Sequence, residues 1–151
     1  MDTSSQQLLA AVVGRLIPGD AASPGAHEAG VPDFVRGELG GHFAAEQDAV
    51  VAGLRSLDAA ARTAHGVSFV DVSAADQDHL LAAVETAPFF EMLLQLSIDG
   101  FLCDPRHGGN RDGVGWRVVG YPGVVLTPTE EQQQIGTPIG FGGLTVEDVS
   151  L

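Results

Sequence analysis

Apolar residues recur along the first two thirds of the chain at the spacing of helices packed on one face. Leu8, Leu9, Val12, Val13, Leu16 and Ile17 predict an amphipathic helix over residues 4–17, with Ser4 or Ser5 as N-cap and Pro18-Gly19 as a stop. Asp20 to Gly30, rich in Gly, Pro, Ala and Ser, reads as a loop. Pro32 suits the first turn of a helix carrying Phe34, Val35 and Leu39, and Gly40-Gly41 ends it. A longer helix is expected from Ala44 to about Ala64, with Val50, Val51, Leu54 and Leu57 inward. Phe69 stands alone in the short Gly66–Val72 link and reads as a plug into the core.

Ser73 followed by Asp76 has capping-box spacing, with Asp in place of the usual Glu or Gln. The helix it opens carries Leu80, Leu81 and Val84 and fades near Thr86-Ala87. Pro88 then opens a helix with Phe89, Phe90, Met92, Leu93, Leu94, Leu96, Ile98, Phe101 and Leu102, apolar on almost every side. Such a helix lies at the centre of a bundle or is covered by another chain. No βαβ rhythm and no hairpin signal interrupts the pattern. The expectation is an all-α, compact helical bundle over residues 1–123, with a Gly/Pro-rich loop and an extended C-terminal tail over 124–151. The Ile135–Leu144 stretch is too rich in Gly and Pro for a helix and too apolar to be left bare, so it is expected to lie on the bundle or along a partner.

The loop follows the apolar helix. Pro105 stops that helix and disfavours the α conformation at Asp104. Gly108-Gly109 allows a tight turn, and the only Trp and the only Tyr, Trp116 and Tyr121, follow soon after. Trp and Tyr beside a rigid turn are interface anchors, which nominates Pro105, His107, Gly108, Gly109, Asn110, Trp116, Tyr121 and Pro122 as a partner interface. The competing reading is that Trp116 closes the bundle's own core.

Length and charge narrow the function. The 151 residues suffice for one domain with a real core, and 44% hydrophobic with 18% charged residues is ordinary globular composition. A formal charge of −13 argues against nucleic acid and anionic membranes as partners. It serves solubility or complements a less acidic protein surface. The single Cys103 cannot form an internal disulfide and reads as a small hydrophobe at a helix end. The chain opens without a basic segment, and the Leu8–Val13 run is too short for a signal peptide or membrane span, so cytoplasmic placement without membrane insertion is expected, or periplasmic placement if a signal has been removed.

Candidate chemistry is sparse. Asp104, His107, Asn110 and Asp112 include metal-binding side chains, but at no recognised metal spacing; capping and turn roles account for them as well. His42 with Glu46, and His79 beside Asp76 and Asp78, read as solvated helix-face pairs. No serine sits in a nucleophile elbow, the glycines form no dinucleotide fingerprint, and there is no lysine at all. No catalytic, cofactor-binding or metal residue is therefore nominated, and binding is favoured over turnover. The alternatives are a stand-alone metal-dependent enzyme using Asp104, His107 and Asp112, and a transient maturation chaperone.

Several stretches together resemble the gluconate 2-dehydrogenase subunit 3 family. They are Leu16-Ile17-Pro18-Gly19-Asp20, Pro24-Gly25-Ala26, Glu28-Ala29-Gly30-Val31-Pro32, Phe89-Phe90, Asp104-Pro105, Gly108-Gly109-Asn110, Trp116 and Gly120-Tyr121-Pro122-Gly123, spanning roughly residues 8 to 123. The resemblance implies a small (gamma) subunit, itself without cofactor, that associates with a large flavoprotein of the glucose-methanol-choline type and supports its folding, stability or export. In that arrangement the large subunit holds FAD and oxidises a sugar, sugar acid or glycoside, and some complexes add a multihaem cytochrome c subunit. The twin-arginine export signal of many members has no counterpart here. Residues 124–151 lie largely beyond the resemblance and are expected to wrap along the large subunit.

Overall fold

A computed structural model describes residues 1–124 together with 129, 130, 133 and 134. Six α-helices and no strand occur among these residues: α1 (Thr3–Leu16), α2 (Val31–Gly40), α3 (Gln47–His65), α4 (Ala74–Ala82), α5 (Pro88–Leu102) and α6 (Val114–Val119). The all-α expectation holds. The tail expected over 124–151 falls almost wholly outside the described residues.

The helix stripes drive the assembly. From α1, Leu8, Leu9, Val12 and Val13 are buried, and they meet Val35 and Leu39 of α2 and Val50, Leu54 and Leu57 of α3 in one core. Fully burying side chains of this size stabilises by roughly 1.5–3 kcal/mol each. The α1 cap is Asp2 rather than Ser4 or Ser5: an Asp2 carboxylate oxygen accepts the Ser5 N–H at 2.8 Å. A carboxylate satisfies the free amides of a first turn and also meets the positive end of the helix dipole. Pro32 stands in the first turn of α2, as its missing N–H predicts.

The third helix starts later than its apolar pattern suggests, at Gln47 instead of Ala44. Residues 41–46 instead make successive turns, in which Phe43 N–H reaches Glu38 O at 2.8 Å and Glu46 N–H reaches Phe43 O at 3.2 Å. These turns fold Phe43 against the core.

Phe69 is the plug its isolation implied and is fully buried in a short 3-10 turn, Phe69–Asp71. Asp58 of α3 holds it there, accepting from the Ser68 hydroxyl at 2.5 Å and the Phe69 N–H at 2.9 Å. Gln77 of α4 donates to the Phe69 carbonyl at 2.8 Å from the other side. Ser73 caps α4 by accepting the Asp76 N–H at 3.2 Å, while its hydroxyl donates to the Asp76 carboxylate at 2.7 Å. The acid therefore reaches the cap's side chain rather than its backbone, because Asp is one methylene shorter than Glu.

Helix α5 packs against α1, α2, α3 and α6. Leu93, Leu96, Ser97, Gly100 and Phe101 form its buried side. At Gly100 an added side chain would run into the Phe34 ring, so the bare backbone is what lets α2 close onto α5. The fourth side stays open: Leu94, Ile98 and Leu102, four residues apart, are exposed.

Candidate functional site

The loop after α5 is built on that helix's need to satisfy its last carbonyls, which have no partner within the helix. Asp99 O takes the Cys103 N–H at 2.7 Å, and Gly100 O takes the Asn110 N–H at 2.7 Å. Leu102 O takes the Trp116 indole N–H at 2.7 Å. Cys103 O, just beyond the helix, takes the Asn110 carboxamide N–H at 2.8 Å. Each donor comes from the loop or from α6, so loop and helix end form one unit.

Asn110 is its hub. It is fully buried in the left-handed region at φ 43°, a conformation that Asn tolerates better than most residues. Its carboxamide oxygen accepts the Gly115 N–H at 2.8 Å, one of the free amides opening α6. With its N–H₂ on Cys103 O and its oxygen on Gly115 N, the orientation of the amide is determined by its partners. Gly109 and Gly115 lie so close to the Gly100 and Phe101 carbonyls that a Cβ on either would overlap them.

The two motif-bearing loops meet here. In the first, an Asp20 carboxylate oxygen accepts the Ala22 and Ser23 N–H groups at 2.7 and 2.8 Å, and these bonds hold its pKa below the ordinary carboxylate value. Glu28 accepts from Gly25 N at 2.9 Å; its own N–H and that of Gly25 lower its pKa likewise. The turn so formed presents Ala29 O, which accepts the Arg111 N–H at 2.9 Å. The Arg111 guanidinium lies over Gly30, where a Cβ would meet it, and comes within 3.7 Å of Asp33.

The nominated residues divide between inside and outside. Gly109, Asn110 and Trp116 are buried within the chain, Pro105 and Pro122 are half-buried, and His107, Gly108 and Tyr121 are exposed. Trp116 retains 7% exposure and meets Tyr121 edge-on, with ring centres 5.1 Å apart. The indole thus closes the bundle's end, and Tyr121 is the ring left facing outward.

The metal-type side chains are engaged locally. Asp104 caps the Pro105–His107 turn by accepting the Arg106 N–H at 3.1 Å, and His107 Nε2 accepts from Arg106 Nε at 3.2 Å. Asn110 is turned into the backbone. Among the described residues, no three His, Cys, Asp or Glu side chains gather as a metal site. His42 stacks edge-on against Phe43, Asp78 pairs with Arg15 at 2.7 Å and Asp76 faces His65 at 4.0 Å. Cys103 is half-buried, and burial pushes its thiol pKa upward, away from the reactive thiolate. No strand–glycine turn–helix unit occurs among the described residues.

The all-round apolar character of α5 leaves an apolar surface beside the loop. Leu102, Trp116, Val119 and Tyr121 line a shallow hollow of about 430 Å³. The exposed row of α5 runs into it: Leu94 is 37% exposed, Ile98 42%, Leu102 38%, Val119 58% and Tyr121 45%. The signal available in the sequence was the all-round apolar character of α5, which exceeds what one core can cover. No helix among the described residues is long and apolar enough to cross a membrane.

Compared with known proteins, the chain matches the family model for gluconate 2-dehydrogenase subunit 3 over residues 3–123. No curated protein and no solved structure matches it significantly.

Proposed function

The chain belongs to the gluconate 2-dehydrogenase subunit 3 family, a subunit of a multi-subunit dehydrogenase, and on that premise we propose that it is the non-catalytic small subunit of an FAD-dependent carbohydrate dehydrogenase or oxidase. The large subunit would carry the flavin and oxidise a sugar, sugar acid or glycoside. This chain would bind that subunit and stabilise its folded form. A multihaem cytochrome c would be the third component, and residues 124–151 are proposed to lie along the large subunit.

One observation carries the reading. The residues that carry the resemblance are spent on structure: Asn110 and Trp116 cap α5, Gly109 lies against the Gly100 carbonyl, and Asp20, Gly25 and Glu28 shape the loop that meets them. Among the described residues no three His, Cys, Asp or Glu side chains gather as a metal site, while an apolar face stays open beside the capped end. Stabilisation of the large subunit then follows by mass action, since a partner that binds only the native state shifts its folding equilibrium.

Purification of the tagged full-length chain from its native host, followed by size exclusion with an absorbance scan, tests this. The expected result is co-elution with a larger, flavin-bearing chain in fixed ratio. A colourless small protein eluting alone would overturn it, and sugar oxidation by that lone protein would establish independent catalysis.

A further inference from the structure

Two rows of side chains run side by side along the open face of α5. One is apolar: Leu94, Ile98 and Leu102, all exposed and continued by Val119 and Tyr121. The other is polar and acidic: Glu91, Gln95 and Asp99, also exposed, with Gln95 donating to Asp99 at 2.9 Å. Residues three and four apart are neighbours on a helix surface, so each acid flanks the apolar row. From Leu94 to Leu102 the row extends about 12 Å at the helical rise.

We propose that this face, Leu94–Ile98–Leu102 with Val119 and Tyr121, docks a protein surface consisting of an apolar ridge bordered by arginine or lysine, and that this surface belongs to the large flavin-bearing subunit. The inference rests on the subunit reading and specifies where contact occurs.

Charge selects this occupant. Covering an apolar row beside Glu91 and Asp99 brings the two carboxylates under low-dielectric cover, which favours a cation opposite them. The chain's own C-terminal segment supplies none: after Arg117 the sequence contains no Lys, Arg or His, and adds Glu130, Glu131, Glu147 and Asp148. A second copy offers one arginine outside any ion pair, Arg106, whose guanidinium donates to His107; beyond it and Arg117 it would have to spend arginines already paired within the chain: Arg15 with Asp78, Arg36 and Arg111 with Asp33, Arg55 with Asp2, and Arg62 with Asp58. Arg117 is folded back onto the Asp112 carbonyl at 2.5 Å. The same face on two copies would also oppose acid to acid. A partner with its own basic border has neither defect. Tyr121, large and already braced against Trp116, supplies an anchor that loses little side-chain freedom on docking.

The test uses the flavin-bearing chain that co-purifies with the tagged full-length protein. Its affinity is compared for wild type, Leu94→Gln/Ile98→Gln, Glu91→Lys/Asp99→Lys, and a control, Val67→Gln/Val70→Gln, which alters exposed apolar residues elsewhere. Circular dichroism and the urea midpoint of each isolated variant establish folding. Both face variants are expected to weaken the complex by about tenfold or more, the control to leave it unchanged, and added salt to weaken wild type more than the charge-reversed form. Wild-type affinity in both folded face variants overturns the docking face while leaving the subunit reading intact. Absence of any flavin-bearing chain with the wild type overturns the subunit reading and this inference with it. If a face variant fails to fold, hydrogen exchange of α5 and α6 in the wild-type complex decides: protection gained on binding supports the face, and protection unchanged overturns it. Protection already present in the isolated chain and lost on removing residues 125–151 assigns the face to the chain's own tail. A wild-type homodimer dissociated by Ile98→Gln assigns it to a second copy, and either result also overturns the proposal.

Discussion

The carboxamide of Asn110 bridges two helix ends, donating to the Cys103 carbonyl and accepting from the Gly115 N–H, both at 2.8 Å. Both partners are backbone groups that neither helix satisfies alone, and the side chain between them is fully buried. Asn110→Ala should therefore cost about 3 kcal/mol or more, since two buried polar groups lose their partner and Ala strains at a positive φ. The urea midpoint of the isolated chain measures it; a change within experimental error would mean that water replaces the amide.

Trp116 combines a packing role with one donated hydrogen bond. Trp116→Phe keeps a ring in the site but leaves the Leu102 carbonyl without the indole N–H, a loss of about 1–3 kcal/mol. Trp116→Ala removes the packing as well and should cost roughly 3–5 kcal/mol. If both variants keep wild-type stability in isolation yet lose the partner, the indole acts at the interface and not as the lid of its own bundle.

Phe69→Ala should be among the most damaging single changes, at roughly 3–5 kcal/mol, because the ring is fully buried where α1, α3 and the 3-10 turn meet. A loss below 1 kcal/mol in chemical denaturation would show that the surrounding helices collapse into the space.

Acid should weaken the fold through Asp58. Burial pushes its pKa upward, but the Ser68 hydroxyl, the Phe69 N–H and Arg62 outweigh it and leave the value below the ordinary one. With the folded value the lower of the two, the unfolded chain binds the proton first as pH falls. The stabilisation is thus present above the unfolded value of about 3.9 and is lost as pH drops through the folded value. Asp2, Asp20 and Asp78 are depressed too and act in the same direction. Asp58→Asn should lower stability at neutral pH by roughly 1–3 kcal/mol and flatten the decline below pH ~4. Parallel stability–pH curves for variant and wild type would refute that role.

How much of this was legible depended on the range of the interaction. The helices through α5 were readable because their apolar periods and their breakers, Pro18, Pro32 and Pro88, are local. Helix α6 was not, since six residues between Gly113 and Gly120 give too short a run for a period to register. The start of α3 was misplaced because Ala44 and Ala45 favour helix, while Phe43 gains more by folding onto the core. At the loop, the turn around Pro105 and Gly108 could be anticipated, but the inward placement of Asn110 could not. Its partners, the carbonyls of Gly100 and Cys103, belong to another element, and an Asn between Gly109 and Arg111 carries the same signal whether it faces water or backbone. The only clue was its suitability for a positive φ beside two glycines. The meeting of Ala29 with Arg111 joins distant parts of the chain and leaves no local trace.

The capping of α5 from downstream also sets an order on the birth of the molecule. The indole that covers Leu102 O lies 14 residues later in the chain. On the ribosome, α5 is therefore finished before its C-terminal carbonyls have partners, and at ~5–20 residues per second the interval lasts about one to three seconds. During it α5, the most apolar of the described helices, is open at its C-terminal end, while its outer row stays open even in the folded chain. A nascent chain halted there leaves the carbonyls at the end of α5 bare, and the arrival of Asn110 and Trp116 closes that end.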